Sequence, residues 1–134
     1  MGFNTNAGVQ GLLDGSIDWA ADTIKARLLR TSESGIDQDD IALTGIGTAF
    51  EVTLGTKTGP TKSDALNKIL YGCANPVFPG VSGAEIDRMA VYKFVTNDAD
   101  SILIAVVDIT PQTHATSTTI TVTLTDGILF TSNT

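Results

Sequence analysis

The chain contains one histidine and one cysteine, His114 and Cys73. A nucleophilic pair would need a thiolate held against an imidazole. His114 lies between Thr113 and Ala115 in a stretch that reads as a polar, solvated loop. Cys73 lies between Gly72 and Ala74, where a small core residue fits. No Gly-x-Ser-x-Gly elbow accompanies them. Gly45-Ile46-Gly47-Thr48-Ala49-Phe50 begins like a phosphate loop but lacks the last glycine, the lysine and a following helix. No catalytic residue is expected, and the chain is not expected to be an enzyme.

Carboxylates gather at Asp37-Gln38-Asp39-Asp40 and at Asp98-Ala99-Asp100, a spacing that hard cations favour. A calcium loop opening at Asp37 would need a glutamate at its position 12, where Thr48 stands. Both runs therefore read as solvated acidic turns, with no metal site and no cofactor. Acid–base catalysis by a carboxyl pair needs burial to raise one pKa. Asp108 is the one acid adjoining an apolar run, and it reads as a strand-end residue bonding to a nearby turn. Trp19 stands beside Asp18 and Asp22 and is expected to be partly exposed, because its indole N–H needs an acceptor. The chain has only eight aromatics (five Phe, two Tyr, one Trp), which a core of this size absorbs.

The elements that must carry these residues are mostly strands. Ile24, Ala26 and Leu28 alternate with Lys25 and Arg27, the period-two pattern of a half-buried strand with its charges in water. A helix from Asp18 to Leu29 is the rival reading, on the spacing of Trp19, Thr23, Ala26 and Arg30, and the alternation of charge favours the strand. Residues 31–47 read as loop. Phe50, Val52 and Leu54 share one face of a strand over 48–54, and Gly55 to Pro60 turns the chain. Residues 65–72 fit either a helical turn capped by Ser63 or a strand running into Tyr71. Pro76 to Gly83 reads as a bend. Ile86 to Val95 places Met89 and Val91 on one face and Tyr92 and Phe94 on the other. Ile102 to Ile109 is apolar on both faces, as a central strand is. Thr118 to Thr125 turns Ile120, Val122 and Leu124 inward, Asp126-Gly127 makes a hairpin-type turn, and Ile128 to Phe130 forms a last strand. About seven short strands predict an all-β, single-domain antiparallel β-sandwich or β-barrel, jelly-roll-like, over residues 17–134. Twenty threonines suit pleated surfaces. Residues 1–16 read as an extended N-terminal arm of weak intrinsic structure that orders against a neighbour.

At 134 residues the chain is long enough for one core. Charged residues are 17%, below the usual quarter, so the surface is expected to be rich in hydroxyls and amides. The net charge is −7, and the eight Lys and Arg are scattered. Nucleic acid and anionic membranes are therefore not expected as partners. No apolar run approaches a membrane span. Residues Met1 to Asn6 lack the basic and apolar regions of a signal peptide.

Three stretches in order resemble a family of small virion structural proteins from tailed bacteriophages. The first is Gly15-Ser16-Ile17-Asp18-Trp19 through Asp22-Thr23-Ile24-Lys25-Ala26-Arg27-Leu28-Leu29. The second is Pro76-Val77-Phe78-Pro79 through Ser82-Gly83-Ala84-Glu85-Ile86, leading to Val91-Tyr92-Lys93. The third is Ser101-Ile102-Leu103-Ile104-Ala105 with Asp108, then Ile120-Thr121-Val122-Thr123 and Asp126-Gly127-Ile128-Leu129. The resemblance implies a capsid decoration, or cement, protein made in the host bacterial cytoplasm and carried on the virion surface. Its implied partners are the major capsid protein and copies of itself, as a trimer. A tail, baseplate or fibre component and a carbohydrate-binding β-sandwich are the alternatives. The residues expected to bind a partner are Phe3, Val9, Leu12 and Leu13 of the arm, together with Trp19.

Overall fold

The computed structural model describes residues 2–43, 50–66, 68–124 and 129–132, the last four by their backbone. The fold is all-β apart from one short helix. Its elements in chain order are β1 (Phe3–Asn4), α1 (Asn6–Asp14), β2 (Ile24–Arg30), β3 (Glu51–Thr53), β4 (Thr58–Ser63), β5 (Lys68–Gly72), β6 (Val77–Lys93), β7 (Ile102–Thr121) and β8 (Leu129–Ser132). The larger sheet has the order β1-β7-β6-β2-β3 and the smaller the order β4-β5-β8, with every pairing antiparallel.

Alternation places two cores on the two faces of the larger sheet. Ile24, Ala26 and Leu28 of β2 join Met89 and Val91 of β6 in the first core, with Tyr71 and Cys73 of the β5 region packed against it. Leu29, Ala90, Tyr92, Leu103 and Val106 form the second core, closed by Leu43 with Phe3, Ile36 and Phe94 at its margin. Tyr92 faces Leu103 and Val91 faces Ala105, so Ile104 is an extra residue in β7 with no partner in β6. A bulge of this kind reverses the faces on either side and re-aims one residue. Ile104 and Ala105 accordingly both point into the first core.

Several expectations hold. The faces of 86–95 are as the alternation sets them, 102–107 is buried or half-buried on both sides while Asp108 is exposed, and Ile120 and Val122 point inward at 6% exposure each. The ambiguous stretch resolves into both alternatives in sequence. The Leu66 amide donates to Ser63 Oγ at 3.4 Å in a turn, and strand β5 then begins at Lys68. β8 supplies the last strand, while Asp126-Gly127 and Thr48-Ala49 lie outside the described residues.

Four expectations need correction. Pro76 to Gly83 is not a bend, because β6 runs through it from Val77. Gly80 and Gly83, at φ +71° and +100°, lie where the β6–β7 register shifts, so they absorb bulges instead of ending the strand. His114 is not in a loop but in β7 opposite Gly83, since β6 provides a ladder for these polar residues. The strand expected over 48–54 is described only as Glu51–Thr53, and β4 already starts at Thr58 within the expected turn. The arm is not extended throughout: β1 joins the larger sheet beside Val106 and Ala105, and residues 6–14 are helical.

Candidate docking surface

Helix α1 is short and rich in glycine, yet both of its ends are closed. Thr5 is extended, at φ −81° and ψ 155°, and its hydroxyl oxygen accepts from the Gly8 amide at 3.0 Å. Gly15 ends the helix at φ +82°, in the left-handed region where glycine is free of strain. The β7 bulge provides the seat. The Ile104 carbonyl accepts the Thr5 amide at 2.8 Å, and the Thr5 hydroxyl lies 2.5 Å from the Leu103 carbonyl.

The helix is packed with its small residues inward. A Cβ on Gly8 would stand 2.6 Å from the Ile104 Cα and carbonyl oxygen, and one on Gly11 would stand 2.5 Å from Ile17 Cδ1. Leu12 packs against the first core. Val9 is half-buried, and Leu13, one turn further on, is 82% exposed. Val9 and Leu13 line a shallow hollow of about 450 Å³ with Asn6, Gln10 and Asp14. A helix with no partner normally turns its leucines inward, so an exposed Leu13 beside a half-buried Val9 on a seated helix has the form of a contact surface.

The acidic turn lies beside this helix. The Asn6 amide donates to the Gln38 carbonyl at 2.8 Å, and the Asn6 side-chain amide donates to Asp39 Oδ1 at 2.7 Å. Asp37 and Asp40 are held by backbone N–H groups of the turn itself, from Asp39 and Asp37 at 2.9 and 2.8 Å. Beyond them Gly2, Phe3 and Ile36 line a second hollow of about 440 Å³ with Asp37, Gln38 and Asp39.

Of the five residues expected to bind a partner, Val9 and Leu13 face outward on α1 and Phe3 lies half-buried in the second hollow. Leu12 faces inward. Trp19 is corrected: it is 3% exposed, and its indole N–H donates to the Gly72 carbonyl at 3.0 Å. Its ring meets Tyr71 edge-on at 5.8 Å. The acceptor that the indole needs comes from β5 across the core, so partial exposure is not required. Trp19 therefore offers no open ring face to a sugar.

The other chemistry-bearing residues are dispersed. Cys73 Sγ lies 3.0 Å from the Ala74 carbonyl, and burial pushes its thiol up to about 11. His114 Nε2 lies 2.8 Å from Gln112 Oε1. Asp108 is exposed within β7, opposite Arg88. Asp98 is engaged by Arg27, and Asp100 by the Asn97 side chain at 3.1 Å. Among the described residues, no three His, Cys, Asp or Glu side chains form a cluster that could hold a metal ion.

One polar centre was illegible in the alternation. Arg27 was expected in water, but it is 3% exposed on the second face of the sheet. It binds Glu51 Oε2 at 2.7 Å and both Asp98 oxygens at 3.0 and 3.3 Å, with its guanidinium 5.1 Å from the Tyr92 ring centre. The Tyr92 hydroxyl also donates to Glu51, and Lys25 pairs with the other Glu51 oxygen at 3.1 Å. Burial alone would raise the Glu51 pKa, but hydrogen bonds from Tyr92, Arg27 and Lys25 outweigh it and hold the carboxyl at about 2. The sequence signal that bears on it is Leu29, on the same strand face as Arg27, together with the apolar faces of 86–95 and 102–107. A sheet covered on both sides leaves no watery face for Arg27.

No family model matches this chain. Searches of curated proteins and of solved structures also find no match.

Proposed function

We propose that this chain is a virion structural protein of a tailed bacteriophage, a capsid decoration protein that binds the outer surface of the major capsid protein lattice in many copies and stabilises the head. The observation that carries the proposal is α1, a capped helix seated through Gly8 and Gly11 that leaves Leu13 82% exposed beside Val9. Such a helix presents a preformed apolar contact and needs little ordering when it docks. The sequence resemblance supplies the setting. Contacts of roughly 1,000 Å² or more per copy, repeated over a lattice, stabilise a shell by mass action.

The test is reconstitution on heads that lack the chain. Added protein should co-sediment with them and raise their heat resistance, and Leu13→Asp should do neither while remaining folded by circular dichroism. Heads of equal heat resistance with and without the chain overturn the proposal. Gold-labelled protein found in few copies on the tail decides for the tail-component alternative.

A further inference from the structure

We propose that the α1 surface continues across the acidic turn as one groove and takes a basic segment with an apolar anchor, a stretch of partner chain in which lysines or arginines flank a large aliphatic or aromatic side chain. This deepens the docking proposal by naming the chemistry of the partner at that same face.

The two hollows described above flank the Asn6–Asp39 hydrogen bond, Asn6 lining one and Asp39 the other. At one end the groove is floored by Phe3 and Ile36, and at the other by Val9 and Leu13. Both ends are apolar, and each accommodates a side chain. The rim carries charge of one sign: Asp14 beside Leu13, and Asp37 and Asp39 beside Phe3 and Ile36, with Asp40 next in the turn. The segments that build it contribute no lysine or arginine: the sequence holds none before Lys25 and none between Arg30 and Lys57. Several acids elsewhere pair with cations of this chain: Asp22 with Lys93 at 3.0 Å, Glu51 with Lys25 and Arg27, and Asp87 with Arg88 at 2.9 Å. At the groove the carboxylates accept from N–H groups instead: Asp14 from the Ser16 amide, Asp37 from the Asp39 amide, Asp40 from the Asp37 amide and Asp39 from the Asn6 side chain. An apolar floor with a one-signed rim selects a partner of complementary charge by attraction and rejects an acidic one by repulsion.

The test uses the full chain and two synthetic peptides of one design, Lys-Leu-Lys-Phe-Lys and Glu-Leu-Glu-Phe-Glu, followed by backbone amide NMR shifts. The lysine peptide should perturb residues 2–14 and 36–41, with binding weakened about tenfold between 50 and 500 mM salt. The glutamate peptide should leave those amides unmoved. Asp37→Asn with Asp39→Asn keeps the acceptors of the turn but should weaken the lysine peptide about tenfold. Equal response to both peptides, response confined to other residues, or no response at millimolar peptide overturns the inference. These outcomes are separate from docking on heads. Head binding that is lost in Leu13→Asp but indifferent to salt and to the double Asn variant would leave the decoration proposal standing and remove this one.

Discussion

Arg27 and Asp98 meet nitrogen to oxygen twice, at 3.0 and 3.3 Å, although 71 residues separate them in sequence. Arg27 is in the middle of β2 and Asp98 in the turn between β6 and β7, so the pair ties that turn to the neighbouring strand. The forked guanidinium suits this geometry, and an ammonium does not.

Breaking this centre from the arginine side should be costly. Arg27→Met leaves the Glu51 and Asp98 carboxylates without their shared donor, and should lower stability by about 2–4 kcal/mol. Arg27→Lys should recover less than half of that. The check is the urea midpoint at pH 7; a midpoint unchanged in Arg27→Met would show that the centre contributes nothing.

The same centre sets an acid dependence. The Glu51 carboxyl titrates at about 2 in the folded chain against an ordinary 4.5, so the folded state binds its proton more weakly than the unfolded state. The sign follows: the contribution is complete above about pH 4.5 and is lost as pH falls toward 2. Wild type should therefore exceed Glu51→Gln in urea midpoint at pH 7, and the gap should narrow between pH 4.5 and 2. A constant gap across that window would contradict the assignment.

Two substitutions on one helix should behave in opposite ways. Gly8→Ala puts a methyl group against the Ile104 backbone, 2.6 Å away, and should destabilise by about 1–3 kcal/mol even though alanine is the better helix former. Leu13→Gln, at a position 82% exposed, should change stability by no more than about 0.5 kcal/mol. Thermal melts of the two variants decide the matter, and a neutral Gly8→Ala would mean that α1 is not seated on β7 as described.

Cys73 should be a poor nucleophile while the chain is folded. Its thiol sits at about 11, raised by burial from 9.0. Unfolding should raise its thiolate fraction at pH 8 by roughly a hundredfold and speed its reaction with an aromatic disulfide reagent accordingly. Fast labelling of the native chain at pH 8 would show an accessible thiolate instead.

Much of the sheet was readable from the residues alone because the period-two pattern is local. Ile24, Ala26 and Leu28, Met89 against Tyr92, and Ile120 with Val122 each carry their face assignment in their own neighbours. Turn chemistry was less secure. Gly80, Gly83 and Pro79 look like the end of an element, but they serve bulges once Phe78 and Val81 bury their side chains on the ribbon's inner face.

The sequence by itself determined the all-β class, the faces of the long strands and the excess of negative charge, since composition and alternation need no knowledge of distant residues. Only the tertiary structure decided that Arg27 is buried, that Trp19 finds its acceptor on Gly72, and that α1 turns its glycines inward and Leu13 outward. Each of those outcomes depends on what approaches from elsewhere in the chain: the turn carrying Asp98, the strand ending at Gly72, and the bulge at Ile104. A glycine or an arginine has no preferred side until a neighbour's backbone or carboxylate arrives, and local pattern does not encode that arrival.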